Sequence, residues 1–303
     1  MSVNKKPHLM DKQKPFDDDF ETKIMVLDYD SLAQIFMWLP VSQRIFMENV
    51  CHKWKEACQP PWYDIKKYKC GVSISGNYKN RLLTQSFVKK VLLRCGAYLK
   101  ELALSKVCNS SIFPIVGERC KNLTRLEFVF DETSRELTKE AIIAISNNCK
   151  KLEHLEIPYC KITSCPFSLD HLSKLQYLEY LDLSCIKKLQ DSTIIFIADE
   201  CKHLKYLNIE GPNNITENAF DVLMKLENLK ELTIDCNKTI TNNFVEKLKG
   251  LRVLNCRGCI NLTDAGIIQV IKNCPDLERL TLSFIDNITL DTIIAADLAT
   301  KNR

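Results

Sequence analysis

Thiols and imidazoles are the side chains of this chain with the widest chemistry, since both can bind zinc and both can act in catalysis. The sequence holds 15 cysteines and 5 histidines in 303 residues. Cys256 and Cys259 have the CxxC spacing that zinc sites use, but this pair stands alone in the sequence. A structural zinc site needs four ligands. We therefore predict no metal site and no bound cofactor.

Motifs of enzyme active sites are missing from the sequence. It contains no glycine-rich phosphate loop, no HExxH pair and no nucleophile elbow. The histidines are scattered over His8, His52, His154, His171 and His203. The sequence therefore predicts a non-catalytic protein.

The cysteines become regular when their positions are compared with those of the leucines. The stretch from Leu251 to Cys274 begins Leu251-x-x-Leu254-x-Cys256-x-x-Cys259. The second leucine of this pattern recurs at Leu102, Leu126, Leu155, Leu181, Leu207, Leu232, Leu254 and Leu280. Successive positions differ by 22 to 29 residues. This period and the L-x-x-L-x-L-x-x-N/C-x-L pattern are those of leucine-rich repeats, in which each unit supplies a short strand and a helix.

The repeat predicts an α/β solenoid, a leucine-rich-repeat arc with one strand and one helix per repeat. About eight repeats occupy residues 95–303. Four cysteines stand six residues before a strand leucine, where a small buried thiol packs well: Cys120, Cys149, Cys201 and Cys274. We predict reduced structural thiols and a cytoplasmic or nuclear location, since the N-terminus has no secretory apolar segment and no apolar run approaches ~20 residues.

Residues between the strand leucines should form a binding surface, because side chains alternate along a strand and these positions face away from the core. The predicted target-binding residues on this concave face are Glu127, Phe130, Glu156, Tyr159, Tyr180, Asp182, Tyr206, Glu210, Glu231 and Asp235. The whole chain has a net charge of +4, so an acidic patch here favours a partner segment with lysine or arginine and disfavours phosphate groups. Alternatively, these polar residues are present only because an exposed sheet face must be hydrated, and this interpretation stays open beside that of a binding surface.

The composition changes at about residue 25. Residues 1–24 are polar and are predicted to be a disordered tail. Residues 25–62 contain three short helical patterns. The clearest has apolar residues at Leu32, Ile35, Phe36 and Leu39, which lie on one helical face.

Prolines divide and end this segment. Pro40 is expected to end the first helix, and Pro60 and Pro61 to end the last. Residues 63–94 are predicted to be a linker or degenerate capping repeat. About forty residues bury too little surface to be stable alone, so the surplus apolar residues of 25–62 indicate either a partner protein or a cap for the repeats.

The spacing within residues 25–62 resembles the F-box. The pattern of that family is roughly L-P-x-E-x-L-x-x-I-F-x-x-L-P, followed by V-C-x-x-W. Asp28 stands where the pattern has its first proline. The resemblance implies adaptor binding, by contact or by shaping the docking face, through Leu27, Leu32, Ile35, Phe36, Leu39, Pro40, Val50, Cys51 and Trp54.

An F-box followed by cysteine-containing leucine-rich repeats resembles the F-box/leucine-rich-repeat family. The resemblance implies a substrate-recognition subunit of an SCF-type cullin–RING E3 ubiquitin ligase. The F-box would dock on a Skp-type adaptor bound to a cullin, and the repeats would hold the target protein. No nucleic-acid or membrane partner is expected. The alternatives are a repeat scaffold without a ligase role, or a leucine-rich-repeat protein associated with RNA or RNA enzymes.

Overall fold

The computed structural model describes residues 24–70, 84–129, 136–162, 166–211 and 215–301. The chain divides into an N-terminal unit that ends at Asp64 and a repeat unit that begins at Ile65. The predicted tail lies outside the described residues except for Ile24. No helix in the described ranges is long and apolar enough to cross a membrane.

Residues 24–26 of the N-terminal unit are helical, and four complete short helices follow among the described residues, one more than the sequence predicts. They span Tyr29–Met37, Val41–Met47, His52–Ala57 and Gln59–Tyr63. The His52–Ala57 helix ends before Pro60, as expected, but Pro60 and Pro61 also lie in the first turn of the additional Gln59–Tyr63 helix. The first turn of a helix leaves its N–H groups without helical partners, so a residue without an N–H fits there.

The core of the N-terminal unit is centred on Leu32 and Phe36, which lie one turn apart and are 0% and 1% exposed. They pack with Ala57 and Cys58, and the partly buried Ile24, Leu27, Leu39, Met47 and Trp54 surround them. The rings of Phe36 and Trp54 lie 5.2 Å apart at 58°. This tilted contact between large rings holds the first and third helices together.

Nine parallel strands form the main sheet of the repeat unit, in the order β1-β2-β3-β5-β7-β8-β9-β10-β11. They are β1 (Lys67–Lys69), β2 (Glu101–Leu104), β3 (Arg125–Phe128), β5 (His154–Glu156), β7 (Tyr180–Asp182), β8 (Tyr206–Asn208), β9 (Glu231–Thr233), β10 (Val253–Asn255) and β11 (Arg279–Thr281). A second, two-stranded sheet pairs β4 (Glu136–Leu137) with β6 (Lys161–Ile162).

The leucines that define the repeat form one row across the main sheet. From Leu102 in β2 to Leu280 in β11, each is the Cα partner of the next. The row is buried from Leu102 through Leu254. It is the shared core that a repeat protein builds by stacking its units. The predicted α/β leucine-rich-repeat solenoid is confirmed.

Helices and short 3₁₀ segments alternate with these strands. The α-helices span Gln85–Cys95, Phe113–Arg119, Lys139–Asn148, Asp191–Glu200, Glu217–Asp221, Asn242–Val245, Asp264–Asn273 and Leu290–Lys301. The 3₁₀ segments span Gly96–Tyr98, Ser110–Ile112, Pro166–Lys174 and Val222–Lys225. Their apolar residues, such as Ile142, Ile197 and Ile267, are fully buried with the leucine row.

Threonines fix the starts of several of these helices. The Thr138 hydroxyl accepts a hydrogen bond from the Ala141 N–H, and Thr216 accepts one from Ala219. Each bond satisfies an N–H that the helix itself leaves without a partner. The Thr263 hydroxyl instead accepts from the Asn242 side chain of the preceding repeat at 2.7 Å. Threonine at this position therefore links repeats as well as capping helices.

The described cysteines are free thiols, and most of them are buried. Cys149 and Cys201 are 0% exposed, and burial raises the pKa of each thiol to about 12. Cys256 donates to the Thr281 carbonyl at 3.6 Å, whereas Cys259 donates to the Ile234 carbonyl at 3.2 Å. The two CxxC thiols are therefore neutral hydrogen-bond donors to backbone carbonyls on opposite sides of their repeat. Zinc ligation would require them to be thiolates.

Candidate interaction surfaces

The first helix of the N-terminal unit begins at a capping residue. The Asp28 carboxylate accepts a hydrogen bond from the Ser31 N–H at 2.7 Å. This N-cap bond satisfies one of the N–H groups that the first helical turn leaves free. Hydrogen bonding from Ser31 lowers the pKa of Asp28, so its carboxylate is charged at neutral pH. Asp28 stands where the F-box pattern has proline, and it starts the helix by acting as its N-cap.

A buried guanidinium ties the helices of the N-terminal unit together. Arg44 donates hydrogen bonds of 2.5 to 2.9 Å to the backbone carbonyls of Met37, Leu39 and Pro61. Nearby, the Trp62 indole N–H donates to the Glu48 carboxylate at 2.8 Å, and Arg44 lies 5.9 Å from the centre of the Trp62 ring. A buried network with satisfied donors holds one arrangement of the surrounding helices. Sequence reasoning missed Arg44, because an arginine on a short helix usually faces water.

The predicted adaptor-binding residues divide into three groups by exposure. Leu32 and Phe36 are in the core, so they can shape a docking face but cannot contact a partner. Four are partly buried, namely Leu27, Leu39, Cys51 and Trp54. Three are exposed, namely Ile35, Pro40 and Val50. The predicted residues that a partner could contact directly are therefore the exposed and partly buried ones, together with exposed neighbours that the F-box pattern does not name.

The structure finds such neighbours on the surface of the N-terminal unit. Trp38 is 89% exposed, Val26 is 79% exposed and Phe46 is 53% exposed. Trp38 lies three residues after the exposed Ile35 at the end of the same helix, so the two occupy the same side of that helix. Their i, i+3 spacing is the signal in the sequence that would have paired them.

The main sheet of the repeat unit has a polar face opposite its leucine row. The residue before each strand leucine and the residue after it lie on this face, and both columns are in register from β2 to β11. Glu127, Glu156 and Asp182 are neighbours in one column, and Tyr180, Tyr206 and Glu231 are neighbours in the other. The structure thus brings these predicted residues to one face.

Three rings stack along this face. His154 and Tyr180 lie 3.9 Å apart at 12°, and Tyr180 and Tyr206 lie 3.8 Å apart at 3°. Parallel strands place equivalent side chains about 4.8 Å apart, which is close enough for planar rings to stack. Burial raises the pKa of both tyrosines, so they carry neutral hydroxyls at physiological pH. The stack ends at Tyr206, because Glu231 occupies the next strand.

The first part of the acidic patch neutralises itself. Arg125 donates to the Glu127 carboxylate at 2.5 Å and to Glu156 at 3.2 Å, and its Nη1 lies 3.2 Å from His154 Nδ1. His154 also lies 2.5 Å from Glu156, and together with Arg125 it lowers the pKa of that carboxyl. Glu127, His154 and Glu156 are close enough to hold a metal ion, but the Arg125 guanidinium already binds the two carboxylates.

The second part of the patch has more carboxylates than cations. Glu210 and Asp235 have raised pKa values, first because they are partly buried, and for Glu210 also because Asp235 and Asp182 lie near it. Arg257 is the cation that lowers both values. Its guanidinium lies 4.7 Å from the centre of the Phe284 ring, which is 70% exposed. One guanidinium cannot balance three carboxylates, so the electrostatic character of the face changes between β5 and β7.

Two predicted target-binding residues stand apart from these groups. Phe130 lies outside the described residues. Tyr159 is 54% exposed in the turn after β5 and has a φ of 59°, in the left-handed region that side chains rarely adopt. Cys185, Cys236 and Phe284 also have positive φ, in the turns that follow β7, β9 and β11.

Known proteins resemble this chain in sequence and in fold. No protein-family model matches it. F-box/LRR-repeat protein 12 of Homo sapiens is 25% identical over 264 residues, covering 83% of this chain and 76% of that protein. A Caenorhabditis elegans protein whose name suggests RNA binding is 25% identical over 265 residues, covering 84% of this chain but 35% of its own length.

A solved structure shares the fold of the repeats. Rad7, determined in complex with Elc1 from yeast, superposes with a TM-score of 0.54 at 16% identity and covers 68% of this chain and 55% of that one. The bovine and mouse proteins that match most of this chain are also F-box/LRR-repeat proteins. The chain is therefore similar over most of its length to F-box/leucine-rich-repeat proteins, and its repeat unit has the leucine row of that architecture.

Proposed function

We propose that this protein is the substrate-recognition subunit of an SCF-type ubiquitin ligase. Its N-terminal unit would dock on a Skp-type adaptor joined to a cullin, and its repeats would bind the target. The observation that carries the proposal is the apolar surface of the N-terminal unit, on which Trp38, Val26 and Ile35 face solvent. Several large apolar side chains exposed on a small unit are typical of a protein interface.

The apolar surface is supported from below by a rigid interior. Leu32 and Phe36 fill the core, and the Arg44 carbonyl contacts hold the ends of the first two helices. The exposed side chains are therefore presented by a preformed scaffold, which lowers the entropic cost of binding. The protein itself would contribute proximity between target and transfer machinery rather than bond chemistry. Its free thiols are consistent with the cytoplasmic or nuclear location that we propose.

The test is co-purification of the full chain with a Skp-type adaptor and a cullin. Because Leu32 is part of the core, its substitution would confuse folding with binding, so the variant is Ile35→Asp/Trp38→Asp, which changes exposed residues. We expect this variant to lose at least tenfold in adaptor affinity, since aromatic anchors dominate interfaces. The matched control is Tyr177→Asp, an exposed aromatic residue of the repeat unit.

The outcomes separate the proposal from its alternatives. Wild type and Tyr177→Asp should retain the adaptor equally. Equal adaptor retention by Ile35→Asp/Trp38→Asp, or failure of folded wild type to bind any Skp-type adaptor, leaves a repeat scaffold without a ligase role. An RNA-associated role rests on the name of the nematode relative. Around Glu210 three carboxylates share one cation, Arg257, and this excess of negative charge argues against phosphate contact on that face.

A further inference from the structure

Nine side chains of β7, β8, β9 and the turns after them form a compact block on the polar sheet face. They are Tyr180, Asp182, Ser184, Tyr206, Asn208, Glu210, Glu231, Thr233 and Asp235, and we call this block the acidic face. Each strand contributes its first and last residue to this block, and strand pairing aligns these residues. The third residue of each set, in the turn after the strand, is aligned by hydrogen bonds from the Cys185 N–H to the Glu210 carbonyl and from the Gly211 N–H to the Asp235 carbonyl. Four of the nine residues are carboxylates, and none is a lysine or arginine.

We propose that the acidic face binds an extended segment of a partner protein that carries arginine or lysine side chains about four residues apart. If the chain is a substrate receptor, as proposed above, this segment belongs to the target. Binding to the segment does not itself require the adaptor.

Charge complementarity identifies the occupant. Between β1 and β5 the same sheet face supplies its own cations: Lys67 bridges Glu101 at 2.6 Å, and Arg125 bridges Glu127 and Glu156. The nine residues of the acidic face include no cation, and Arg257, in the turn after β10, is the cation that Glu210 and Asp235 share. One guanidinium cannot balance four carboxylates, and carboxylates placed near each other in partial burial are costly without a cation. A cationic side chain of a partner protein would neutralise these carboxylates in the way that Arg125 on β3 neutralises Glu127 and Glu156. Phosphate groups of nucleic acid would be repelled by the same residues.

Within the acidic face, Asp182 is held by its own neighbours. Its carboxylate accepts from the Ser184 N–H at 2.8 Å and from the Asn208 side chain at 3.2 Å. These two bonds fix the position of the Asp182 carboxylate. Its negative charge still adds to the electrostatic potential of the acidic face. Asp235 also accepts one bond, from the Arg257 backbone N–H at 2.9 Å, through a single oxygen. The carboxylates with oxygens left for a ligand are Glu231 at one end of the face and Glu210 at the other, where the second oxygen of Asp235 lies beside Glu210.

The first subsite lies at the end of the aromatic stack. One side of the Tyr206 ring is covered by Tyr180, and Glu231 stands beside Tyr206 on the next strand. A guanidinium continuing the stack at this place would lie over the ring of Tyr206 and against the carboxylate of Glu231. Arginine binds in this way because its plane stacks on aromatic rings while its edge donates to carboxylates.

The second subsite is the carboxylate pair of Glu210 and Asp235. Partial burial of Glu210 and the proximity of Asp235 raise the pKa of Glu210, and partial burial raises the pKa of Asp235. Glu210 lies four residues after Tyr206 on the same strand and its following turn, which is about 13 Å at the rise of an extended chain. An extended partner segment that runs along β8 would therefore place cations at positions i and i+4 over the two subsites.

The binding experiment uses the purified full chain and a fluorescein-labelled nonapeptide of glycine and serine with arginine at its third and seventh positions. The control peptide has citrulline at both positions, which keeps the shape of the side chain and removes its charge. Fluorescence anisotropy at fixed ionic strength should show at least fivefold tighter binding of the arginine peptide. A third peptide, with the two arginines adjacent, should bind more weakly than the spaced one.

Variants locate the binding to the two subsites. Glu210→Gln/Asp235→Asn and Tyr206→Leu should each weaken the arginine peptide by about fivefold or more, whereas Tyr206→Phe, which keeps the ring, should not. The matched control for charge is Glu227→Gln/Asp276→Asn, which removes two exposed carboxylates outside the acidic face. Circular dichroism confirms that each variant is folded.

Several results would overturn the proposal. Equal affinity for the arginine and citrulline peptides would do so, as would an equal loss of affinity in the control double variant, since that result means non-specific attraction. Tighter binding of a polyuridine RNA than of the arginine peptide would indicate the other class of ligand. Adaptor co-purification is scored separately, so loss of adaptor binding with intact peptide binding would reject the ligase role and leave this inference standing.

Discussion

At the scale of single residues, polar side chains decide how the apolar pattern is presented. Asp28 caps the Tyr29–Met37 helix through the Ser31 N–H, and the buried Arg44 joins the ends of neighbouring helices through three carbonyls. Neither residue belongs to the apolar face that marks this segment in the sequence. Both determine where that face begins and which of its members reach solvent.

Glu156 makes a residue-scale prediction about pH. His154 and Arg125 hold its pKa below the ordinary value of 4.5. A carboxyl whose pKa is lower in the folded protein adds stability above its unfolded value, and this stability is lost as pH falls through the folded value. Glu156→Gln should therefore lower the free energy of unfolding by about 1 kcal/mol at neutral pH, after allowance for partial exposure.

Urea unfolding followed by circular dichroism at pH 7 and near pH 3 would check this prediction. The difference between wild type and Glu156→Gln should be present at pH 7 and small near pH 3. Glu153→Gln removes an exposed carboxylate from the residue before β5 and serves as the control. A deficit of the same size at both pH values would show that Glu156 acts by packing rather than by charge.

At the scale of helices, Gly117 sets how closely two neighbouring repeats approach. It lies in the Phe113–Arg119 helix, and a Cβ at this position would lie 2.5 Å from the Ala144 carbonyl oxygen of the Lys139–Asn148 helix. That separation is too short for any non-bonded contact, so the two helix backbones can be this close only with glycine.

Gly117→Ala should therefore destabilise the repeats by about 1–3 kcal/mol, because the helices must move apart. Helix propensity alone predicts the opposite sign, since alanine favours a helix by about 1 kcal/mol over glycine. The neighbouring Glu118→Ala changes an exposed side chain and should alter stability by about 0.5 kcal/mol or less. Urea unfolding midpoints distinguish the two, and a stabilised Gly117→Ala would show that the contact relaxes without cost.

At the scale of the whole molecule, the position of a cysteine within its repeat determines whether its thiol is exposed to reagents or buried. Cys236 is exposed, whereas Cys120, Cys149, Cys201 and Cys274 are buried at the equivalent position of four different repeats. Burial raises the pKa of Cys149 to about 12, so almost none of it is thiolate at neutral pH.

Iodoacetamide at pH 7.5 should accordingly alkylate Cys236 in the folded chain and leave the four buried thiols unmodified. In denaturant all of them should react. Peptide mass spectrometry before and after unfolding reads out each site. Rapid modification of Cys149 in the folded chain would mean that the stacked repeats open locally, and a Cys236→Ser variant controls for opening caused by the first alkylation.

Fold was largely predictable from the sequence, since a leucine row needs only a fixed period. Every strand leucine from Leu102 to Leu280 takes the register that the spacing indicates. The additional Gln59–Tyr63 helix was not predictable in the same way, because a proline is as compatible with the first turn of a helix as with the residues after a helix ends. The adaptor-binding residues stay a prediction, and what the structure adds to them is the exposure of Trp38.

By itself, the sequence determined that the chain is an F-box-like segment followed by leucine-rich repeats, and that acidic and aromatic side chains share one sheet face. Burial and alternation follow from periodicity, which is a local property. Only the tertiary structure decided which carboxylates are paired with a cation. Arg125 reaches Glu156, 31 residues later in the chain, because the strands bring them within 3.2 Å, whereas Glu210 and Asp235 have one shared cation in Arg257. Such pairing depends on side-chain geometry between repeats, which the period of the leucines does not specify.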